Sequence, residues 1–335
     1  MELDPKALSG HAREKAMPEQ KPQNVKPKQT ADPLPSWNDN NLKRSILDFV
    51  TRVSTEGGGE FVPPMERIAV FDNDGTLWCE QPIHFQILFA LDRLDRLAAD
   101  KPEMREQQPF KAFLERDLKT IATFGKREAF EFVFATHAGI TTEEFAGLVK
   151  SWLSSAKHAR FNRFCTECVY QPQLELLDYL RASGFKPFIV SGGGIEFMRV
   201  FAEKVYGIPP EQVIGSSNKT AVEMRDGGPT LMKLAELRSF DDREEKVVNI
   251  HMHIGRRPIL AFGNSDGDLA MMRYALSGAG ARLALLLHHD DAEREFAYDR
   301  EFRLSPLVEA LDHADDYGFT VVSMKRDWKT VFGRK

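Results

Sequence analysis

Two aspartates one residue apart open the run Asp72-Asn73-Asp74-Gly75-Thr76, directly after the apolar stretch Arg67-Ile68-Ala69-Val70-Phe71. Carboxylates at i and i+2 emerge on the same side while strand geometry persists. Two anions this close repel each other, so a divalent cation is their natural partner, and oxygen ligands favour magnesium. Gly75 permits a sharp turn and Thr76 adds a hydroxyl. The plainer alternative is an Asp-Gly turn in which the carboxylates only cap.

Two further polar runs sit in equivalent places. Ser191-Gly192-Gly193-Gly194 follows the apolar segment Pro187-Phe188-Ile189-Val190 and precedes a helix expected from about Ile195 to Tyr206. A serine hydroxyl and unobstructed backbone N–H groups at a helix start make a phosphate cradle, although a tight strand-to-helix turn looks the same. Gly263-Asn264-Ser265-Asp266-Gly267-Asp268 follows Pro258-Ile259-Leu260-Ala261-Phe262 and offers carboxylates, an amide oxygen and flexible glycines. That composition suits metal coordination, and equally an Asp-rich turn with Asp268 capping the next helix.

The elements that must position these loops read as an α/β chain. The apolar segments are continuous, as expected of strands buried on both faces of a parallel sheet. A fourth strand is expected over 282–287, and helical patterns lie over 173–182 and after Asp268. Strands alternating with helices imply a doubly wound, Rossmann-like, mainly parallel core. Residues 81–170 show helical periodicity (Phe85, Leu88, Phe89, Leu91, Leu94) without a convincing buried strand, which predicts a helical cap inserted after the first motif. The core would then comprise 37–80 and 171–335. Residues 1–36 are rich in Pro, Lys, Gln and Glu and read as a disordered tail, within which Met17 would serve equally well as a first residue. A helix is expected over 41–53 with Asp39 or Asn40 as its cap, and Asp226-Gly227-Gly228 marks a hairpin turn.

Composition narrows the function classes. The 335 residues are 42% hydrophobic and 28% charged, with a formal net charge of -5. That balance gives no global reason to expect nucleic acid or an anionic membrane as partner. No stretch has the length of a membrane span, and the N-terminus lacks the apolar core of a secretory signal. Three cysteines make no disulfide framework, so a cytoplasmic protein is expected.

In type and order the three loops resemble those of the haloacid-dehalogenase-like hydrolase superfamily, and especially its phosphoserine-phosphatase-like branch, over roughly residues 66–290. The resemblance implies a magnesium-dependent phosphatase acting on a small phosphorylated substrate. Asp72 would be the nucleophile and Asp74 the acid and base. Ser191 and the Gly192 N–H, with Thr76, would hold the phosphate. The family's lysine falls best on Lys246, with Lys233 and Lys219 weaker. The metal would lie among Asp72, Asp74, Asn264 and Asp268, or Asp266 if the loop threads differently. Asn264 departs from the family pattern, where an Asp is common, and removes one negative charge. Asp74 favours phosphate esters over carbon–halogen bonds. A phosphotransferase or mutase of the same superfamily and a catalytically weak binding protein are the competing readings.

Weaker features complete the reading. Glu80 lies close to where phosphoserine phosphatases place a substrate-binding Glu, offset by one residue, and reads equally as an exposed or capping residue. Cys165-Thr166-Glu167-Cys168 reads as two half-buried thiols rather than a metal or redox pair. His251 and His253 read as non-catalytic, and Arg256-Arg257 as favouring a helix dipole.

Overall fold

The computed structural model describes residues 32–121, 123–225 and 227–333. Eight strands form one sheet: β1 (Ile68–Phe71), β2 (Lys186–Gly194), β3 (Val213–Arg225), β4 (Gly228–Ser239), β5 (Leu260–Gly263), β6 (Leu283–Asp290), β7 (Ala297–Tyr298) and β8 (Thr320–Ser323). Their order is β4-β3-β2-β1-β5-β6-β7, with β8 also paired to β6. The run from β3 to β6 and on to β8 is parallel; β4 and β7 are antiparallel additions.

β1 lies at the centre because every one of its residues is apolar and each face has a core to fill. Ala69 and Phe71 enter one hydrophobic cluster, while Ile68 and Val70 enter the other. Its neighbours are β2 on one side and β5 on the other, with Phe71 in register with Ile189 and Phe262. The chain reaches β2 first and returns later to β5, so the sheet reverses direction at β1. Such a reversal leaves a crevice at the carboxyl ends of the strands. The first and third polar runs follow β1 and β5 and the second forms the end of β2, so all three meet there.

Between β1 and β2 the described elements are helical, from Phe85–Asp100 through Lys126–Ala135 to Thr142–Leu153. The helix Phe85–Asp100 serves two cores. Phe85 and Phe89 pack into the main cluster, whereas Ile87, Ala90 and Leu94 join a separate one with Phe113, Phe132 and Val133. Residues 165–170 return to the main core, where Cys79 N donates to Cys168 O at 2.9 Å and Tyr170 N to Leu77 O at 3.0 Å. The β3–β4 hairpin reaches the helical segment through Gly139 N to Lys233 O at 2.8 Å and Lys233 N to Ile140 O at 3.0 Å.

Several expectations need correction. Residues 1–31 lie outside the described residues, but the expected tail does not extend to 36. Leu34 and Ser36 are buried, and Ser36 Oγ donates to Glu175 at 2.6 Å. Trp37 anchors the segment, its Nε1 donating to Pro172 O at 3.0 Å, so a few apolar residues override the polar average. β2 runs on through the glycines to Gly194, with a register shift between Ser191 and Gly194. The single helix expected after it is two, Ile195–Arg199 and Ala202–Tyr206. Cys165 and Cys168 are fully buried, not half-buried. Asp226 of the expected turn lies outside the described residues, while Arg225 and Gly228 pair across it. The N-terminal helix is Asn41–Ser54, capped by Asn40, which accepts from Lys43 N.

Candidate active site

Pairing with β5 continues one residue past β1, since Asp72 N donates to Phe262 O at 3.0 Å. The chain then turns, with the carbonyl of Asn73 accepting from Thr76 N, Leu77 N and Trp78 N. Gly75 sits at φ +74°, and a Cβ there would collide with the Asn264 amide and the Glu80 carboxylate. Glycine is needed for both reasons. Asp74 is steered by Trp78, whose Nε1 donates to Oδ1 at 2.9 Å. Trp78 is itself locked by stacking on Phe201 at 4.4 Å between centroids and by an edge contact with Phe85 at 4.8 Å. The other oxygen of Asp74 faces the second loop: a Cβ at Gly193 would stand 3.2 Å from it and 3.6 Å from Ser191 Oγ.

Ser191 Oγ is buried and accepts from Gly193 N at 3.2 Å. The carbonyl of Gly192 is held by Ser216 Oγ at 2.8 Å, and Gly194 N donates to Gln86 Oε1 at 2.7 Å. Gln86 belongs to the helix Phe85–Asp100, so the helical segment touches the glycine loop directly.

Lys246 reaches the centre from the helix Glu244–Ile254. Its Nζ donates to Asp72 Oδ1 at 3.0 Å, to Asp268 Oδ1 at 2.6 Å and to Val190 O at 2.9 Å. Three acceptors thus meet its three donors. Burial opposes the charge on Lys246, but the carboxylates of Asp268, Asp72 and Asp241 outweigh it and hold the ammonium protonated beyond its usual range. Lys233 instead pairs with Glu196, and Lys219 with Glu236 at 2.6 Å.

In the third loop, Asp268 Oδ2 accepts from Asn264 N at 2.9 Å and Ser265 N at 3.1 Å. Asp268 thereby links Lys246 to the loop backbone. Asp266 points elsewhere and accepts from Val308 N, Glu309 N and Ala310 N at 2.9–3.2 Å, capping the helix Glu309–Asp312. Asn264 is buried; its Oδ1 accepts from Thr76 Oγ1 at 2.8 Å and its Nδ2 donates to Glu80 Oε1 at 2.9 Å. Thr76 therefore gives its hydroxyl to Asn264.

Glu80 is neither exposed nor a cap. It is fully buried, with Tyr298 OH donating to Oε1 at 2.8 Å and His84 Nε2 standing 2.9 Å from Oε2. Burial pushes its carboxyl up, yet the hydrogen bond and charge of His84, with His289 and Tyr298, prevail and leave it below the usual range. Sequence reasoning misses Tyr298 and Asp241; only His84, four residues beyond Glu80, carries a local signal. Asp241 is pushed up to about 7, chiefly by burial, although Lys246 and Asn249 oppose this.

The centre therefore gathers the carboxylates of Asp72 and Asp268 around one ammonium, while the carboxyl of Asp74 lies against Trp78 and the Ser191–Gly194 segment. The donors suited to a cation are the Asp72 carboxylate, the Asp74 main-chain carbonyl and the Asn264 amide oxygen, all hard oxygens. Among the described residues no three His, Cys, Asp or Glu groups form a metal cage. Magnesium takes one or two carboxylates and keeps several waters. The donor set fits the ion.

A search of curated proteins finds no match. Similar solved structures include a conserved functionally unknown protein from Anaerococcus prevotii, at 17% identity over 75% of this chain and 86% of that one, TM-score 0.47. Another is a protein with unknown function from Bordetella pertussis, at 16% over 77% and 98%, TM-score 0.48. A phosphoserine phosphohydrolase-like protein from Francisella tularensis matches at 18% over 66% and 87%, TM-score 0.38. The family model for haloacid dehalogenase-like hydrolase matches residues 69–273. Since that span runs from β1 past Asp268 and takes in every loop of the crevice together with Lys246, the chain belongs to the haloacid dehalogenase-like hydrolase family.

Proposed function

We propose that this chain is a magnesium-dependent phosphomonoester phosphatase that works through a phosphorylated Asp72. The observation that carries the reading is the bridge of Lys246 between Asp72 and Asp268, which couples the loops after β1 and β5 in one buried cluster. Phosphoryl transfer asks mainly for positioning and charge neutralisation, and this arrangement offers both.

An oxygen of Asp72 attacks phosphorus while Asp74 gives a proton to the departing ester oxygen. Water then loses a proton to Asp74 and attacks the phosphoryl group, releasing inorganic phosphate and restoring Asp72. Lys246 neutralises the nucleophile and the arriving phosphate, and Ser191 Oγ with Gly192 N holds the phosphoryl oxygens. Trp78 fixes Asp74 by one oxygen and leaves the other to carry the proton. Magnesium, held by Asp72, Asp74 and Asn264, would offset the repulsion between anionic nucleophile and anionic substrate. In this reading Asp268 anchors Lys246 and the loop, and Thr76 orients Asn264.

The helical segment within 81–170 acts as the cap that selects the leaving group and excludes water, with Gln86 as its contact on the glycine loop. Small phosphorylated metabolites are the expected substrates. Among the described residues no helix is long and apolar enough to cross a membrane. Its three cysteines are free, which fits a reducing compartment, so we place the protein in the cytoplasm.

An aryl phosphate with magnesium tests the mechanism. Its leaving group departs without a proton, so Asp74→Asn should give a burst of one equivalent of aryl alcohol and then stall. Asp72→Asn should give no burst. Hydrolysis by Asp72→Asn at the unaltered rate would end the proposal.

A further inference from the structure

Asn264 raises a problem that the three loops do not solve: an amide stands where relatives of this family often carry a carboxylate, and an amide can face either way. Its oxygen and nitrogen are nearly the same size, so only the partners decide the orientation. Here Glu80 decides it, because an ionised carboxylate only accepts, whereas the Thr76 hydroxyl can donate or accept and follows. Thr76 Oγ1 lies 2.8 Å from Oδ1, and Glu80 Oε1 lies 2.9 Å from Nδ2. Glu80 Oε1 also accepts from Tyr298 OH at 2.8 Å, and His84 Nε2 stands 2.9 Å from Oε2 as an ion pair, so the oxygen that faces Asn264 is held as an acceptor. A reversed amide would set Asn264 Oδ1 against a carboxylate oxygen. Gly75 makes the contact possible, because any side chain there would fall between the two groups.

We infer that Glu80 is a positioning residue for Asn264, fixing the amide with its oxygen available as a donor and supplying from the next shell the negative charge that an aspartate at 264 would carry. The inference rests on the reading of Asn264 as a magnesium ligand. A carboxylate accepting from the amide nitrogen pushes electron density toward the amide oxygen, as outer partners of ligating groups commonly do. The alternative role for Glu80, contact with substrate, sits poorly with a side chain that is fully buried among three protein partners.

Exchanging the two groups is the test, read on the full chain without substrate by Mg2+ calorimetry and by metal-free melting. Glu80→Gln should weaken Mg2+ binding about tenfold, the usual scale for an outer-shell partner. Asn264→Asp should lower the metal-free melting temperature, because two carboxylates would face each other across the present 2.9 Å contact. The double variant Glu80→Gln/Asn264→Asp keeps the atoms and total charge but reverses their places, and should recover both the melting temperature and Mg2+ binding. If Glu80→Gln leaves Mg2+ binding within twofold while Asn264→Ala abolishes it, the role of Glu80 is wrong and the ligand reading survives. If Asn264→Ala also leaves binding unchanged, the ligand reading itself fails. Should Glu80→Gln not fold, the Asn264→Asp loss and its rescue decide the matter; an Asn264→Asp protein as stable as the parent overturns the inference.

Discussion

Two buried polar networks flank the turn at Gly75, and they differ in how completely they are closed. Around Lys246, the carboxylates of Asp72 and Asp268 share one ammonium, and the Asp72 side chain stays 11% exposed toward the crevice. Around Glu295 the groups answer one another. Cys79 Sγ donates to Oε1 at 2.9 Å, Tyr170 OH reaches it at 3.3 Å, and Phe296 N donates to Oε2 at 2.7 Å. His289 spans from Glu295 Oε2 at 3.3 Å to the Gly75 carbonyl at 2.7 Å. The second network has no side open to a ligand. Similar groups at similar depth thus differ in role: under the proposed function the unbalanced, partly open cluster takes up a phosphate and a cation, whereas the closed one holds the turn that carries Asp74.

Removing the cation from the open network should have the largest effect. Lys246→Met leaves two carboxylates buried without their partner, a change worth about 3–5 kcal/mol of stability. Catalysis should fall by roughly a thousandfold or more, because nucleophile and substrate lose the buried charge that the protein itself sets against their repulsion. Urea unfolding and kcat/KM on an aryl phosphate measure the two losses. A variant that keeps kcat/KM within tenfold would remove Lys246 from the reaction.

Asp241 sharpens the comparison, because it lies beside the open network without a partner for its Oδ2 among the described residues. Its carboxyl is raised from 3.8 to about 7 by burial. The unfolded chain releases this proton near pH 4, while the folded chain retains it until about 7. Stability from this group is therefore greatest below pH 4, declines as pH rises toward 7 and is constant above. Roughly three pKa units correspond to a decline of about 4 kcal/mol. Asp241→Asn should match the parent at pH 4 and exceed it at pH 8. A difference that does not change with pH would show that Asp241 is ionised in the fold.

The closed network should respond in stability alone. Glu295→Gln replaces an acceptor by a donor against Phe296 N or Cys79 Sγ, costing about 1–3 kcal/mol. Expected kcat/KM stays within about threefold, since the Gly75 carbonyl keeps its backbone frame. If instead the rate falls as far as in Lys246→Met, the two networks are one functional unit.

What the sequence discloses follows the same division. Apolar runs such as Ile68–Phe71 and Leu260–Gly263 are legible because both faces of a central strand are buried, and the polar loops stand out at their ends. Lys246 stands out only through the family resemblance, since a lysine in a helix ordinarily faces solvent. The closed network is illegible because its members, Cys79, Tyr170, His289, Glu295 and Phe296, are far apart in the chain and meet only in the folded sheet. β8 escapes notice because only Val321 and Val322 of Thr320–Ser323 are apolar, so it lacks the continuous apolar run that marks β1 and β5. Glu80, which the sequence leaves between a substrate contact and an exposed or capping residue, is not placed because its partners Tyr298 and Asn264 are 218 and 184 residues away.

The smallest effect is expected at the cysteines, and it tests whether closure is real. Cys165 and Cys168 have the spacing of a redox pair, yet burial pushes both thiols up to about 12, Cys165 adding to the shift of Cys168. The thiol of Cys79 is raised too, by burial and then by the charge of Glu295. Reaction with a disulfide reagent requires the thiolate, whose share at pH 8 is about one part in ten thousand for a thiol near 12. Native protein should therefore label no faster than it unfolds, and three thiols should appear together in guanidinium. Rapid labelling of even one cysteine in the native state would mean that 165–170, or the Glu295 cluster behind it, opens to solvent. The contrast between an open and a closed network would then be one of degree, and Glu295→Gln would be expected to speed that labelling further.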